Sequence, residues 1–276
     1  MLNYQPRPIL PLPLSLPLSL PSRLPDPSEL PDSDDKPVDN ELQQQVPSLL
    51  KQCLEHYWRD RHDWFFGINM GIYHHTPGYS PSIAIVPDGF LSVGVTRPLD
   101  PKGRLSYIVW KEHNVVPLWV LECVSQTYGE EYDEKMTTYR DLGVLYYTIY
   151  NPHYHQRDQH APLEVYQLVK GRYQLQSGPR VWLPKLQLAL GRERDQFGDG
   201  WEREWLYWYD RQGRRLPTHA ERAAQERQQA QQERHRADRE RQRADQERQR
   251  ADQERQRAER LAALLRVQGL DPDQLS

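Results

Sequence analysis

The chain has 276 residues, with 36 lysines and arginines against 39 aspartates and glutamates, for a formal net charge of -3. That balance argues against a dedicated, strongly basic nucleic-acid binder, although it leaves room for a local positive groove. Only 37% of residues are apolar and the mean hydropathy is -0.91, so much of the length lies outside any core.

Residues 1–37 are dense in Pro, Leu and Ser. Prolines every second to fourth position forbid a helical leader, and the reading is a disordered or polyproline-II arm. Asp39 or Asn40 can cap a helix running to about Arg61. Its inner stripe is Leu42, Val46, Leu49, Leu50, Cys53, Leu54 and Tyr57. Glu41 suits the first turn of that helix through the helix dipole. Trp64 to His75 and Ser82 to Val95 read as two strands joined at Thr76-Pro77-Gly78. His74 and His75 read as hairpin-end residues, because no further Cys or spaced His completes a zinc set. Pro87 cannot donate to a sheet ladder, so the strand bulges, ends or sits at an edge there, and Asp88 projects near that break. The stretch from Thr96 to Val116 is polar and mixed, with Ile108, Val109 and Trp110 as an added strand and His113-Asn114 as loop.

Pro117 to Pro152 reads as strand, turn, helix and strand. Leu118 to Val124 is an almost unbroken apolar run, the pattern of a strand covered on both faces. Glu122 interrupts it and, at period two, shares a face with Leu118, Val120 and Val124. A buried carboxylate needs a partner. The helix read over Glu131 to Leu142 offers one: Tyr132, Met136, Tyr139 and Leu142 form its inward stripe, and Lys135 lies on the same side. Gly143 is suited to stop that helix. Leu145 to Tyr150 forms the next strand. Two carboxylates and a lysine brought together in this way are the parts of a metal-dependent phosphodiesterase. The carboxylates hold Mg²⁺, with Mn²⁺ as a substitute, and the lysine positions water or offsets charge.

Beyond Pro152, His153, His155 and His160 read as a solvated loop. Leu163 to Leu175 reads as a hairpin about Lys170-Gly171, and Val181 to Leu190 as a short strand or irregular run. The aromatic-rich stretch Trp201 to Asp210 reads as sheet, with Asp210 to Gly213 as its turn; aromatics beside arginines can also stack on unpaired bases. From His219 onward Ala223, Ala230, Ala237, Ala244, Ala251, Ala258 and Leu265 stand in steps of seven. This predicts a long solvated helix, with i,i+3 pairs such as Asp238–Arg241, Asp245–Arg248 and Glu247–Arg250. A lone Ala stripe makes a weak seam, so any homodimer through this helix is close-packed and weak. Leu261, Leu264, Leu265 and Val267 form an apolar tip, and Gly269 and Pro272 end the helix.

Several of these motifs carry a resemblance. Pro87-Asp88, the strand Val120-Leu121-Glu122-Cys123-Val124-Ser125, then Lys135, Tyr139, Leu142-Gly143-Val144 and Tyr146-Tyr147 resemble the PD-(D/E)xK nuclease superfamily. More narrowly, they resemble its restriction-endonuclease-like (Uma-two) family. The likeness spans roughly Val38 to Pro217. One departure is that Val124 stands where a literal ExK strand has its lysine, which implies that the lysine has moved onto the helix as Lys135. The resemblance implies an α/β fold, a restriction-endonuclease-like core with a mixed central sheet flanked by helices, followed here by the long C-terminal helix. It implies a DNA endonuclease with Asp88 and Glu122 as metal ligands and Lys135 as the catalytic lysine. Ser125 and Tyr139 are implied as supporting groups, and Glu41 as a further acid. The expected domains are a 1–37 arm, a 38–217 nuclease-like domain, a 218–270 helix and a 271–276 tail. The competing expectation is a silent nuclease-like fold that binds nucleic acid or assembles through its helix. RNA or single strands would use the same site. Cys53 and Cys123, both in predicted core elements, suit the reducing cytoplasm. No apolar run reaches transmembrane length.

Overall fold

The computed structural model describes residues 41–74, 84–96, 103–126, 130–197 and 200–267. The predictions for the N-terminal arm, the Asp39/Asn40 cap, His75, the Thr76–Gly78 turn and the end of the last helix lie outside these residues. The chain divides into two units at Leu216/Pro217.

The first unit is a mixed α/β structure. Helix α1 (Glu41–Tyr57) buries Leu42, Val46, Leu49, Leu50, Cys53 and Leu54, as its periodicity demands. It ends earlier than predicted. Tyr57 is exposed, and Trp58, just past the helix end, is buried instead, edge-on to Trp64. The two strands predicted upstream of Thr96 each break in two. The pieces are β1 (Trp64–Ile68) and β2 (Ile72–Tyr73), then β3 (Ala84–Ile85) and β4 (Gly89–Val93). The breaks fall at Asn69, which has a left-handed φ of 46°, and at Pro87, which has no amide to give. The Asn69 amide still reaches the Asp88 carbonyl at 3.2 Å. Past this kink β2 pairs with β3 and, in parallel, with β5 (Tyr107–Ile108), forming a separate three-stranded sheet.

Next come β6 (Trp119–Cys123), α2 (Glu134–Leu142), β7 (Tyr146–Tyr150), the short α3 (His155–Asp158), β8 (Leu163–Val169) and β9 (Arg172–Gln176). The central sheet has six strands in the order β1-β4-β6-β7-β8-β9. Its β6–β7 pair is parallel and joined through α2; the other pairs are antiparallel, so the sheet is mixed. The strands β10 (Arg180–Leu183), β11 (Leu188–Phe197) and β12 (Trp201–Tyr209) make a third sheet. Trp205, Tyr207, Trp208 and Tyr209 are buried there, so the aromatics of β12 other than the exposed Trp201 are core.

The pleat of β6 separates two cores. Trp119, Leu121 and Cys123 join the cluster that contains the α1 stripe. Val120 and Val124 join Phe90, Tyr139 and Tyr147 on the other face, beside α2. Leu118 was expected on the Glu122 face. It lies before the strand begins and packs with the α1 cluster instead.

The second unit contains α4 (His219–Val267), 49 residues long. Thr218 and Glu221 form a capping box: the Glu221 carboxylate accepts from the Thr218 amide at 2.7 Å, and the Thr218 hydroxyl accepts from the Glu221 amide at 3.3 Å. Side chains from Ala224 to Leu261 are exposed. The ion pairs drawn along the helix are at i,i+4, as in Arg222–Glu226, Arg236–Glu240 and Arg255–Glu259, in place of the predicted i,i+3 set. Among the described residues no helix is long and apolar enough to cross a membrane.

Candidate active site

The kink at Pro87 leaves Asp88 just ahead of β4, where Gly89 pairs with Leu121 of β6. One step further along that antiparallel register brings Asp88 beside Glu122. Asp88 is 7% exposed, and its Oδ2 accepts the Cys123 amide at 2.6 Å. Gly89 allows this close arrangement: a Cβ there would stand 2.9 Å from the Pro47 Cβ of α1.

Glu122 is 2% exposed, and both of its oxygens are engaged. Oε1 accepts from the Tyr139 hydroxyl at 2.6 Å and Oε2 from the Lys135 ammonium at 2.9 Å. Both donors come from α2, one helical turn apart, on the face turned toward β6. Tyr139 is fully buried, whereas the Lys135 side chain is 30% exposed, so the ammonium stands between the buried carboxylate and solvent. Gly143 closes α2 as predicted, in the left-handed region at φ 91°, with its amide donating to Tyr139 and Arg140 carbonyls.

The electrostatics follow from burial. Desolvation, then the charge of Glu122, push Asp88 well above the usual carboxylate range, against the Cys123 amide and Lys135. Desolvation also raises Glu122, because Lys135 and Tyr139 offset it only in part. Burial presses the Lys135 pKa down, but Glu122, Glu131 and Asp88 outweigh it and hold the ammonium above its ordinary value.

The sequence assigned no role to Glu131 beyond opening the helix. In the structure it sits in the turn before α2, because the helix starts only at Glu134. It is buried, its carbonyl accepts from the Tyr147 hydroxyl at 2.7 Å, and its charge acts on Asp88, Glu122 and Lys135. A signal was present: Glu131 lies four residues before Lys135. Tyr132, expected on the helix stripe, stacks on His160 at 3.7 Å. Ser125 is buried just past β6. Glu41 stands apart. It is exposed at the start of α1, on the helix that covers the opposite face of the sheet, and is bonded by Gln45.

A family model described as "Uma2: Putative restriction endonuclease" matches residues 35–195. The chain belongs to the Uma2 family. The match takes in α1, Asp88, Glu122, Lys135 and Tyr139 and stops within β11, so β12 and α4 lie beyond it. The fold is that of a restriction-endonuclease-like protein, and the family points to nuclease-type chemistry on nucleic acid. No curated protein matches the chain.

Among the described residues no group of three or more His, Cys, Asp or Glu is arranged to hold a metal ion. Mg²⁺ does not require one, since it is commonly bound by one or two carboxylates, with waters and substrate phosphate completing its shell. Asp88 and Glu122 supply hard oxygen donors, and the carboxylates in and around the pair outnumber the single ammonium. The donor set fits a hard divalent cation.

Proposed function

We propose that this protein is a DNA endonuclease of the PD-(D/E)xK type that cleaves phosphodiester bonds by hydrolysis. Asp88 and Glu122 would hold Mg²⁺, with Mn²⁺ able to replace it. The chemistry a bound ion supplies is polarisation of a phosphoryl oxygen and activation of water. Lys135 keeps its charge through the surrounding carboxylates and offsets negative charge developing on the phosphate. Tyr139 fixes the orientation of the Glu122 carboxylate, and the Cys123 amide fixes that of Asp88. Ser125 lies at the same strand end and serves as a supporting group.

The observation that carries this reading is the pair of adjacent buried carboxylates with a partly exposed lysine on one of them. A purely structural ion pair would need one acid. A second buried acid raises the cost of charge and gains a purpose when a cation is present. The reading extends to the domain plan of a 38–217 nuclease-like domain and a 218–270 helix, and to residence in the reducing cytoplasm, where the free buried thiols Cys53 and Cys123 persist. Exposed Leu261, Leu264 and Val267 at the end of α4 favour a weak homodimer through that helix. Such pairing would let two single-strand cuts fall on one duplex.

The test is cleavage of supercoiled plasmid with Mg²⁺ by the wild type and by Asp88→Ala, Glu122→Ala and Lys135→Ala. Loss of nicking in all three is expected. Wild-type nicking by all three ends the assignment. Sedimentation of the chain truncated after Pro217 reports on the helix: an unchanged association state removes α4 from assembly.

A further inference from the structure

Arg203, on β12, is the strongest anomaly outside the carboxylate cluster. It is 9% exposed, yet it forms no ion pair among the described residues. The nearby acids are taken by other arginines. Asp195, its cross-strand partner in the β11–β12 register, bonds Arg215 and accepts the Tyr207 hydroxyl at 3.0 Å. Glu204 pairs with Arg192 at 2.6 Å and Glu202 with Arg194 at 2.9 Å. A buried cation without a counter-anion is expensive, and such a group is ordinarily paired.

The groups that do hold Arg203 are neutral. Its guanidinium lies 4.8 Å from the Trp201 ring centroid and 5.3 Å from that of Trp205, and these two indoles stand at 87° to each other. Nε donates to the Glu204 carbonyl at 3.2 Å, and Nη1 lies 3.3 Å from Nε2 of His153. Arginine can only donate, so Nε2 accepts and the imidazole is neutral. Burial, with the charge of Arg203, also holds the His153 pKa below its ordinary value. The Tyr150 hydroxyl accepts a further hydrogen bond from the guanidinium, and Trp201 and His153 beside it are exposed.

The position matters. His153 follows directly after β7, whose last residue, Tyr150, pairs with Cys123, the residue after Glu122. The Tyr150 hydroxyl donates to the Glu204 carbonyl at 2.6 Å, which ties the end of β7 to β12. The Cys123 thiol, pushed up mainly by burial, feels the charges of Asp88, Glu122 and Arg203. Arg203 therefore stands at the same carboxyl end of β6 and β7 as the carboxylate cluster.

We propose that Arg203, aimed by His153 and the two indoles, is a phosphate-binding subsite that holds a backbone phosphate of the DNA running across this end of the sheet. The proposal rests on the DNA-cleaving reading for the identity of its anion. A forked guanidinium lying beside the exposed Trp201 and His153 suits phosphate oxygens. Its burial among uncharged groups leaves the charge uncompensated until the phosphate arrives.

The test is binding of a short fluorescent duplex to the full chain, by anisotropy without divalent ions, over about 50 to 200 mM salt. Arg203→Met keeps much of the side-chain volume and removes the charge. It is expected to weaken binding about tenfold and to reduce the slope of log affinity on log salt by about one, with unchanged circular dichroism. An unchanged slope, or no duplex binding by the wild type, overturns the proposal. Should Arg203→Met fail to fold, the exposed His153→Ala replaces it. A several-fold loss of affinity is then expected, and wild-type affinity overturns the proposal. Asp88→Asn assayed alongside separates the two readings. Wild-type cutting by Asp88→Asn defeats the nuclease assignment whatever Arg203 does, and the salt slope decides the Arg203 subsite whatever Asp88→Asn does.

Discussion

Asp88→Asn should remove cleavage and at the same time stabilise the metal-free protein. Asparagine keeps the size of the side chain and an oxygen able to accept the Cys123 amide, which Asp88 Oδ2 now accepts at 2.6 Å. It removes a charge that burial and Glu122 both oppose. The sign follows from linkage. An aspartate whose folded pKa is raised is protonated in both states at low pH and contributes nothing there. As pH rises past the ordinary value of 3.8, the unfolded chain loses the proton while the folded protein retains it. Stability then falls by about 1.4 kcal/mol per pH unit until the folded pKa is reached, and is level above it. Asp88→Asn lacks this loss, so the gap between variant and wild type opens from about pH 4 upward and its plateau marks the folded pKa. The assay is urea unfolding in EDTA at a series of pH values, read by tryptophan fluorescence. A gap that is absent, or that does not change with pH, refutes the argument that Asp88 is held as a strained acid. Added Mg²⁺ should narrow the gap by stabilising only the wild type.

Three further outcomes are expected. Tyr139→Phe removes the 2.6 Å hydrogen bond to Glu122 and should cost about 1–3 kcal/mol; denaturation measures it, and an unchanged midpoint counts against the bond. Gly89→Ala sets a methyl 2.9 Å from the Pro47 Cβ, so α1 and β4 must part, at about 1–3 kcal/mol and with lower nicking activity through a displaced Asp88; wild-type melting and nicking would show that the contact relaxes freely. Thr218→Ala breaks the capping box of α4 and should cost that helix about 1 kcal/mol, seen as reduced helicity on warming, with no change if the cap is inert.

The two carboxylates were legible in the sequence because local rules set their surroundings. Period two put Glu122 on the face of Val120 and Val124, which is where the cluster beside α2 forms. A proline without an amide broke the strand ahead of Asp88, and helical spacing put Lys135 and Tyr139 on one side of α2. Glu131 was missed for a physical reason. It is buried from a turn, and what encloses it includes Tyr147, a residue from the following strand. The break of the first strand at Asn69, and the separate sheet beyond it, were missed likewise, because pairing with the distant β5 decides where β2 and β3 go.

Arg203 shows why a charged residue's partner is harder to read than its burial. Alternation along β12 places residues 203, 205, 207 and 209 on one face, which by itself predicts an arginine among aromatics. The register places Asp195 directly opposite, and a cross-strand rule would pair the two. Arg215, arriving after the Asp210–Gly213 turn, takes that carboxylate instead, with Glu193 at 3.5 Å as a second partner. Asp210 secures the turn by accepting the Gln212 and Arg214 amides, each at 2.9 Å. A turn closed by Asp210 thus delivers one arginine to Asp195 and leaves another uncompensated at the strand end where Asp88 and Glu122 gather. Asp210→Ala should therefore loosen Arg215 from Asp195 and let Arg203 claim that carboxylate. Duplex binding should then lose salt sensitivity as in Arg203→Met, although Arg203 itself is intact. A wild-type salt slope in Asp210→Ala would mean that Arg203 is kept unpaired by its own aromatic cradle and not by competition for Asp195.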